Sequence, residues 1–457
     1  MKKINLGNVQ KIHFIGICGI SMSGLAELLM LDGYCVTGSD AKVSDISDHL
    51  QGIGIPVAIP NAAQNIPNDT DLVVFTAAIR VDNPEYQAAI AMGKHMLERA
   101  ALLGKILQAY DNVVCVAGTH GKTTATSMMA EVCEDAGLDP TISIGGFMAR
   151  DNTNYRIGNS PYFVLEACEY NNSFHHWYPQ VGIILNIDED HLDFHGNFDG
   201  VKRAYRRFAE NIPKGGVLVI QAGTPGFDIV TQNLPCRVVT FGENAQYHAQ
   251  NISYDEHGCA SAEFFHGKNK LANVFVALPG RFNLQNALAV FAAAIELGIA
   301  PEVAAMSLGG LSGVKRRFER KGEYNGAVII DDYAHHPTEI IECLAAARNA
   351  TKGKLYAIFQ PHTYTRTKNL LAEFAACFAK ADHVALLPIF PAREPFDASI
   401  SSLHLQQEML RYKCNVFHFD AFSDAAKFYR TRLLPEDMLI TVGAGDVYIV
   451  GEQVLEI

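Results

Sequence analysis

The chain has 457 residues, and at about 150 residues per domain that suggests roughly three domains. With 49% hydrophobic and 19% charged residues it has the composition of a globular protein able to bury large cores. A formal net charge of -12 argues against nucleic acid as a main partner, because a phosphate backbone needs concentrated basic surface; a local anion site in a cleft remains compatible with it.

In chain order, "MKKINLGNVQ" carries two lysines with no apolar stretch behind them, and no run of 18 apolar residues follows anywhere. The expectation is a cytoplasmic protein with no membrane partner. "KIHFIGI" is a short apolar strand, "SGLAELLMLDG" a helix with a glycine stop, and "YCVTGSD" the next strand. "LVVFTA", "NVVCVAG", "YFVLEA", "VGIILNI" and "GGVLVI" read as buried strands, with amphipathic helices such as "FDGVKRAYRRFAENI" among them. "GAVIID", "KLYAIF", "HVALLPI" and "MLITVGAG" repeat the theme, separated by the helices "PTEIIECLAAARNA" and "TKNLLAEFAACFAKA". Such alternation predicts an α/β fold with mainly parallel sheets. Boundaries are expected near residues 104–110 and 318–325. The ten cysteines, from Cys18 to Cys414, show no metal-ligand spacing and read as buried thiols in a reducing compartment.

Two strand-to-helix turns can hold phosphates. "HFIGICGISMSGLAE" places Gly16, Gly19 and Gly24 where a backbone can approach a diphosphate, although Cys18 occupies the second glycine position of a dinucleotide fingerprint. Ser39 and Asp40, in "GSD", end the second strand, where a nucleoside is often read. "NVVCVAGTHGKTTATSMMAEVCEDAG" supplies strand, loop and helix for a phosphate loop, though Val116 stands where the usual loop has its first glycine. The N–H groups of Gly118, Thr119, His120, Gly121, Lys122, Thr123 and Thr124 would form the nest. Lys122 would offset β- and γ-phosphate charge, and the Thr123 hydroxyl can reach Mg2+. Further oxygen ligands are offered where strands emerge, by Glu166 and Glu169, and by Asp188, Glu189, Asp190 and Asp193 around His191.

The ordered set "GTHGKTT", "EACEYNNSF", "NIDEDHLD", "GRFNLQNALA", "GVKRRFE" and "DDYAHHPTE" resembles the Mur ligases, the ATP-dependent amino-acid ligases of peptidoglycan precursor synthesis. "GICGISMSGLAE", "FQPHTYTRTKNLL", "LLPIFPAREP" and "VGAGDVY" look most like the members that join L-alanine to UDP-N-acetylmuramate. The resemblance spans essentially the whole chain. It implies a Rossmann-like UDP-sugar domain over 1–106, a P-loop ATPase domain over 107–321, and a Rossmann-like amino-acid domain over 322–457. It implies ATP and Mg2+, and a lactyl carboxylate activated as an acyl phosphate before the amine attacks. A monomer or weak homodimer with small-molecule substrates goes with it.

Residue by residue, the resemblance makes Thr123, Glu166 and His191 metal ligands and Asn283 and Asn286 readers of adenine. It puts Arg317 on the ATP phosphates, and Asp332 and Tyr333 near ribose, phosphates and the incoming amino acid. Catalytic roles fall to Lys122, Arg317 and His335, with His336 an alternative to His335 in handling the amine proton. His362 and Arg366 would take the amino-acid carboxylate, and Gly16, Gly19, Ser39, Asp40 and His120 the sugar nucleotide.

The chain departs from the family pattern at Cys18 and Ser21 in the first glycine loop, at Cys168 in "EACE", and at Thr363 in "PHTYTR". Arg206 stands where relatives that add later amino acids carry a carbamylated lysine, so no such metal bridge is expected. Three rivals stay in view, one of them a non-enzymatic nucleotide-gated binding protein, against which the intact Lys122 and the metal-ligand candidates argue. A ligase attaching a whole tripeptide to the same sugar nucleotide shares the early motifs. An NAD-dependent oxidoreductase would use the first glycine turn but leaves the second phosphate loop unexplained.

Overall fold

The computed structural model describes residues 2–412 and 415–456, with the side chains of Leu192 and Asp193 also outside the description. Asp193 and Cys414, singled out above, therefore carry no structural statement. The chain packs as two compact units, one of Met1–Gly145, Asn152–His248 and Ala289–Ala304, the other of Gly146–Asp151, Ala249–Leu288 and Ala305–Ile457.

The first unit contains two α/β layers. Strands β1 (Lys11–Ile15), β2 (Cys35–Ser39), β3 (Val57–Ala58), β4 (Leu72–Phe75) and β5 (His95–Glu98) form a parallel sheet in the order β3-β2-β1-β4-β5. The order reverses at β1, so a crevice opens at its C-terminal end, where Gly16 turns the chain at φ 78°. In the second layer lie β6 (Asn112–Ala117), β7 (Thr141–Ser143), β8 (Tyr155–Arg156), β9 (Tyr162–Glu166), β10 (Val181–Ile184), β11 (Val217–Gln221) and β12 (Arg237–Phe241). Their order is β12-β11-β10-β6-β9-β7-β8, parallel except for β8. The core residues of β6 and β10 are near-continuous Val and Ile because helices cover both faces, the pattern parallel sheets require. Phe14, Phe163, Phe174, Tyr205 and Phe208 are fully buried in the unit's main core.

Gly24 belongs to this packing and not to the glycine loop. It lies inside the helix Ile20–Leu31, and a Cβ there would fall 2.3 Å from Tyr155 Cγ. Its missing side chain lets the helix sit against the tyrosine ring.

In the second unit β14 (Cys259–His266) and β15 (Asn269–Pro279) make an antiparallel hairpin beside β13 (Tyr247–Tyr254), most of which belongs here. The remaining sheet has the order β16-β17-β21-β18-β19-β20, with β16 (Glu319–Tyr324), β17 (Ala327–Asp332), β18 (Leu355–Phe359), β19 (His383–Leu386), β20 (Val416–His418) and β21 (Met438–Val442). Only β16 runs antiparallel to its neighbour. The α/β expectation with mainly parallel sheets thus holds. Among the described residues every cysteine is a free thiol, and no helix is long and apolar enough to cross a membrane.

Candidate active site

The phosphate loop follows β6 directly. Gly118 at φ 148° and Gly121 at φ 81° adopt conformations that side chains resist, and Gly121 caps the helix Lys122–Asp135. The first-turn N–H groups of that helix have no intrahelical acceptor, which makes its start an anion site. The neighbouring strand end holds the loop in place. Asn186 accepts from His120 N at 2.8 Å and donates to His120 O at 3.0 Å, and Thr119 Oγ1 accepts from Asp188 N at 2.9 Å.

Lys122 folds back over the loop. Its ammonium donates to Gly118 O at 2.6 Å and Thr119 O at 3.0 Å, and lies 2.9 Å from Glu169 Oε2. Burial would lower its pKa, but the charge of Glu169, with a smaller contribution from Glu166, pushes it well above the ordinary lysine value. The residue is thus a fixed cation. Cys168 stands where the family pattern has an aspartate. Burial first, then Glu169, raises its thiol to about 11, so it is neutral and adds no anion beside Lys122.

Around this loop stand the candidate metal ligands. Thr123 is buried in the first helical turn. Glu166 ends β9, where its Oε2 accepts from Gly145 N at 2.8 Å. His191 turns at φ 51°, which brings its Nε2 within 3.8 Å of both Glu169 Oε1 and Asp190 Oδ2, while its ring lies 4.9 Å from that of Tyr170. A hydroxyl, carboxylates and an imidazole make a donor set that fits a divalent cation with phosphate oxygens completing it. His120 Nε2 pairs with Asp188 Oδ2 at 3.2 Å. Arg206 points elsewhere, bonding Glu210 Oε1 at 2.9 Å and Ile229 O at 3.1 Å.

At the β1 turn, Gly16 N and Ile17 N both donate to Ser39 O, and Gly19 N to Gly16 O. Cys18 N donates to Asp40 Oδ2 at 2.9 Å, so the cysteine that replaces a glycine keeps a closed turn. Ser39 is fully buried and its hydroxyl donates to Glu85 Oε2. Its side chain supports the turn from beneath and is not presented to a ligand.

The second unit gathers the remaining candidates. Asn283 donates to Pro279 O at 2.8 Å and accepts from Asn286 Nδ2 at 3.4 Å, both side chains lying buried. The adjacent arginines divide their work. Arg316, at φ 61°, is tied to Asp331 Oδ2 at 3.0 Å and Gly443 O at 2.8 Å, a structural anchor. Arg317 lies over the Tyr333 ring at 4.9 Å and lowers the pKa of Asp332 against the dominant effect of burial, which still pushes that carboxyl up to about 6. Phe318 N and Ala334 N, each at 2.7 Å, hold Asp332 in place.

Burial pulls His335 down to about 4, so it is neutral near pH 7. Its Nδ1 faces Tyr333 O at 3.0 Å, which puts the proton on Nδ1 and leaves Nε2 as an acceptor. The His335 and His362 rings meet at 5.6 Å, and Arg366 reaches His362 Nδ1 at 3.3 Å. Thr363 adopts φ 64° and ψ 146°, an outlier for a β-branched residue and a strain of about 1–3 kcal/mol. Its hydroxyl accepts from Arg366 N at 3.4 Å. Where the family pattern has a cation, this chain has a strained cap that sets the next arginine.

The structure therefore gathers Lys122, Thr123, Glu166, His191 and His120 around one loop in the first unit. Arg317, Asp332, Tyr333, His335, His362 and Arg366 stand at strand ends of one sheet in the second. Sequence reasoning missed Asn186 as the loop's clamp and Glu169 as the partner of Lys122. It also missed Glu85, which carries no motif.

Residues 11–111 match the Mur ligase family catalytic domain, residues 116–294 the Mur ligase middle domain, and residues 316–445 the Mur ligase glutamate ligase domain. The UDP-N-acetylmuramate–L-alanine ligase of Lachnospira eligens is 44% identical, and that of Agathobacter rectalis 43%, each alignment covering 100% of both chains. Among solved structures, the UDP-N-acetylmuramate-alanine ligase of Thermotoga maritima matches with a TM-score of 0.80 at 28% identity, over 97% of this chain and 98% of that one. A murein peptide ligase from Psychrobacter arcticus matches at 0.70 and 25%, over 98% of each chain. With its three domains matched in order and its relatives aligned from end to end, this chain belongs to the Mur ligase family.

Proposed function

We propose that the protein is an ATP-dependent ligase joining L-alanine to the lactyl carboxylate of UDP-N-acetylmuramate in peptidoglycan precursor synthesis, in the cytoplasm. The observation that carries this is the buried Lys122, its ammonium 2.9 Å from Glu169 in a glycine nest beside Glu166 and His191, within a chain aligned end to end with L-alanine ligases. The domain bounds 1–106, 107–321 and 322–457 and the site residues named above, apart from the buried side chain of Ser39, go with this reading.

The chemistry follows from the residue types. A carboxylate and a triphosphate repel each other, so cations must bring them together. Lys122 and the N–H groups from Gly121 to Thr124 take the phosphates, those of Thr119 and His120 being spent on Asn186, and Arg317 adds a forked donor. Thr123, Glu166 and His191 would hold Mg2+, which when bound supplies charge neutralisation in phosphoryl transfer. The activated carboxyl is an acyl phosphate. The amine of L-alanine adds to it, and the tetrahedral intermediate loses phosphate to leave the amide. Neutral His335 offers Nε2 as the hydrogen-bond acceptor that orients the incoming amine as the C–N bond forms. Arg366 takes the amino-acid carboxylate. Asn283 and Asn286 suit adenine, whose edge offers both a donor and an acceptor.

The test is phosphate release from ATP with UDP-N-acetylmuramate and Mg2+. Release is expected only on addition of L-alanine, and activity with a tripeptide alone would move the assignment to the tripeptide-adding ligase. Lys122→Ala is expected to abolish turnover while UDP-sugar binding persists, and retained turnover would remove the phosphate role.

A further inference from the structure

Beneath the β1 turn lies a carboxylate that the proposed reaction does not use. Glu85, the second residue of the helix Pro84–Ala91, is 0% exposed. Its Oε2 accepts from the Ser39 hydroxyl and faces His13 Nε2 at 3.4 Å. Its Oε1 accepts from Ala62 N at 3.0 Å and Asn65 Nδ2 at 2.6 Å. His13 is itself 1% exposed, and its Nδ1 lies 2.9 Å from Thr37 Oγ1. Asn61 Nδ2 donates to Ser39 Oγ at 2.9 Å. Burial alone would lift the Glu85 carboxyl, but the bonds from His13, Ser39, Ala62 and Asn65 outweigh it and hold the group below the usual carboxylate range.

A buried charge is costly, and replacement by apolar residues is often neutral or stabilising, so stability alone is a poor account of its presence. The position of this one supplies a better reason. The four groups on its oxygens come from β1, the end of β2 and the 61–65 segment, which converge on Ser39. The Ser39 carbonyl accepts from both Gly16 N, at 2.8 Å, and Ile17 N, at 2.9 Å. The next residue, Asp40, holds Cys18 N. Ser39 thus joins two layers, with Glu85 on its hydroxyl and the glycine turn on its carbonyl.

We propose that Glu85, with His13, is a positioning residue for sugar-nucleotide binding: the buried carboxylate locks Ser39, and through Ser39 and Asp40 fixes the backbone path of the Gly16–Gly19 turn that receives the diphosphate. This rests on the reading of that turn as the UDP-sugar site. A carboxylate suits the task because it accepts on both oxygens from several donors at once, whereas an amide accepts on one only.

The experiment compares wild type with Glu85→Gln, Glu85→Asp and His13→Gln. Each is assayed for the KM values of UDP-N-acetylmuramate and ATP, for kcat, and for the Kd of uridine diphosphate by calorimetry. Glu85→Gln is expected to raise the UDP-sugar KM and the uridine diphosphate Kd together by about tenfold, a loss that displaced loop geometry commonly brings, with kcat and the ATP KM within about twofold. Glu85→Asp should recover part of the loss, and His13→Gln should reproduce a smaller part of it. An unchanged uridine diphosphate Kd, or equal changes in both KM values, would overturn the proposal. If Glu85→Gln does not fold, His13→Gln decides by the same measures. Wild-type protein that binds uridine diphosphate without L-alanine-dependent phosphate release would sink the ligase reading and leave this comparison intact.

Discussion

Replacing Glu169 by Gln asks whether the resting partner of Lys122 is the group that nucleotide displaces. The two charges lie 2.9 Å apart with side chains 13% and 3% exposed. At an effective dielectric near 20 the gross attraction at that distance is about 6 kcal/mol, much of it offset by desolvating both ions. Removing one member of a buried pair costs about 3–5 kcal/mol, because the other charge stays uncompensated. Gln keeps the side-chain volume, and the Gly118 and Thr119 carbonyls still accept from Lys122. The expected loss is therefore at the low end, about 3 kcal/mol. Its pH dependence follows from the raised Lys122 pKa. A cation whose folded pKa exceeds its unfolded value of about 10.4 contributes fully below that value, and the contribution is lost only as pH rises through the folded pKa. The penalty should be constant between about pH 6 and 9. Urea unfolding with and without saturating Mg-ATP reads it. Phosphate oxygens would replace the missing negative charge, so the difference between wild type and variant should fall to less than half when nucleotide is bound. An equal difference in both conditions would refute the exchange of Glu169 for phosphate.

Gly24→Ala should destabilise the first unit by about 1–3 kcal/mol, since the new Cβ overlaps the Tyr155 ring, and should leave the UDP-sugar KM alone. A raised KM at unchanged stability would return Gly24 to the ligand loop. In the second unit two buried groups oppose each other: His335, depressed to about 4, loses stability as pH falls below its unfolded value, while Asp332, raised to about 6, loses stability as pH rises through the same window. His335→Asn removes the opposing contribution, so from pH 4 to 6 the variant should lose about 2 kcal/mol relative to wild type in urea melts; an unchanged pH dependence would contradict it. Arg206→Ala removes bonds to Glu210 and the Ile229 carbonyl, so about 1–2 kcal/mol of stability should go with kcat unchanged, and a large fall in kcat would place Arg206 in the reaction.

What the sequence made legible was local. A strand, a glycine turn and a helix within about twenty residues are visible as a pattern, and β6 with Gly118, Gly121 and Lys122 fits it. The partner of Lys122 is not local. Glu169 lies 47 residues on, and only the pairing of β6 with β9 brings it back to the loop. Gly24 looked like a third loop glycine because a glycine for ligand approach and one for helix packing read identically in a string. Arg316 and Arg317 are equivalent by type and neighbourhood. The φ of 61° at Arg316 sends it to Asp331 while its neighbour lies over Tyr333. Glu85 carries no motif, and an acid in the first turn of a helix would in any case be explained by the dipole alone; burial is what removes that explanation.

Three strand ends carry the candidate chemistry, and the charge placed at each differs in a way that suits a ligase. The turn after β1, its own N–H groups bonded to Ser39, Asp40 and Gly16, leads into the start of the helix Ile20–Leu31 with no lysine or arginine in it, which suits binding a diphosphate that must not react. The turn after β6 adds a buried lysine whose charge Glu169 secures, which suits a triphosphate that must. At the end of β17 stand an aspartate raised toward neutrality and a neutral imidazole, with guanidinium groups brought beside them by Arg317, ahead of β16, and Arg366, beyond β18. An amine nucleophile needs an acceptor and its carboxylate needs a cation, and an imidazole kept neutral by burial beside a guanidinium supplies both. On the proposed reading, a protonated His335 would repel the ammonium form of the amino acid, so a pKa depressed by burial suits a site that must admit it.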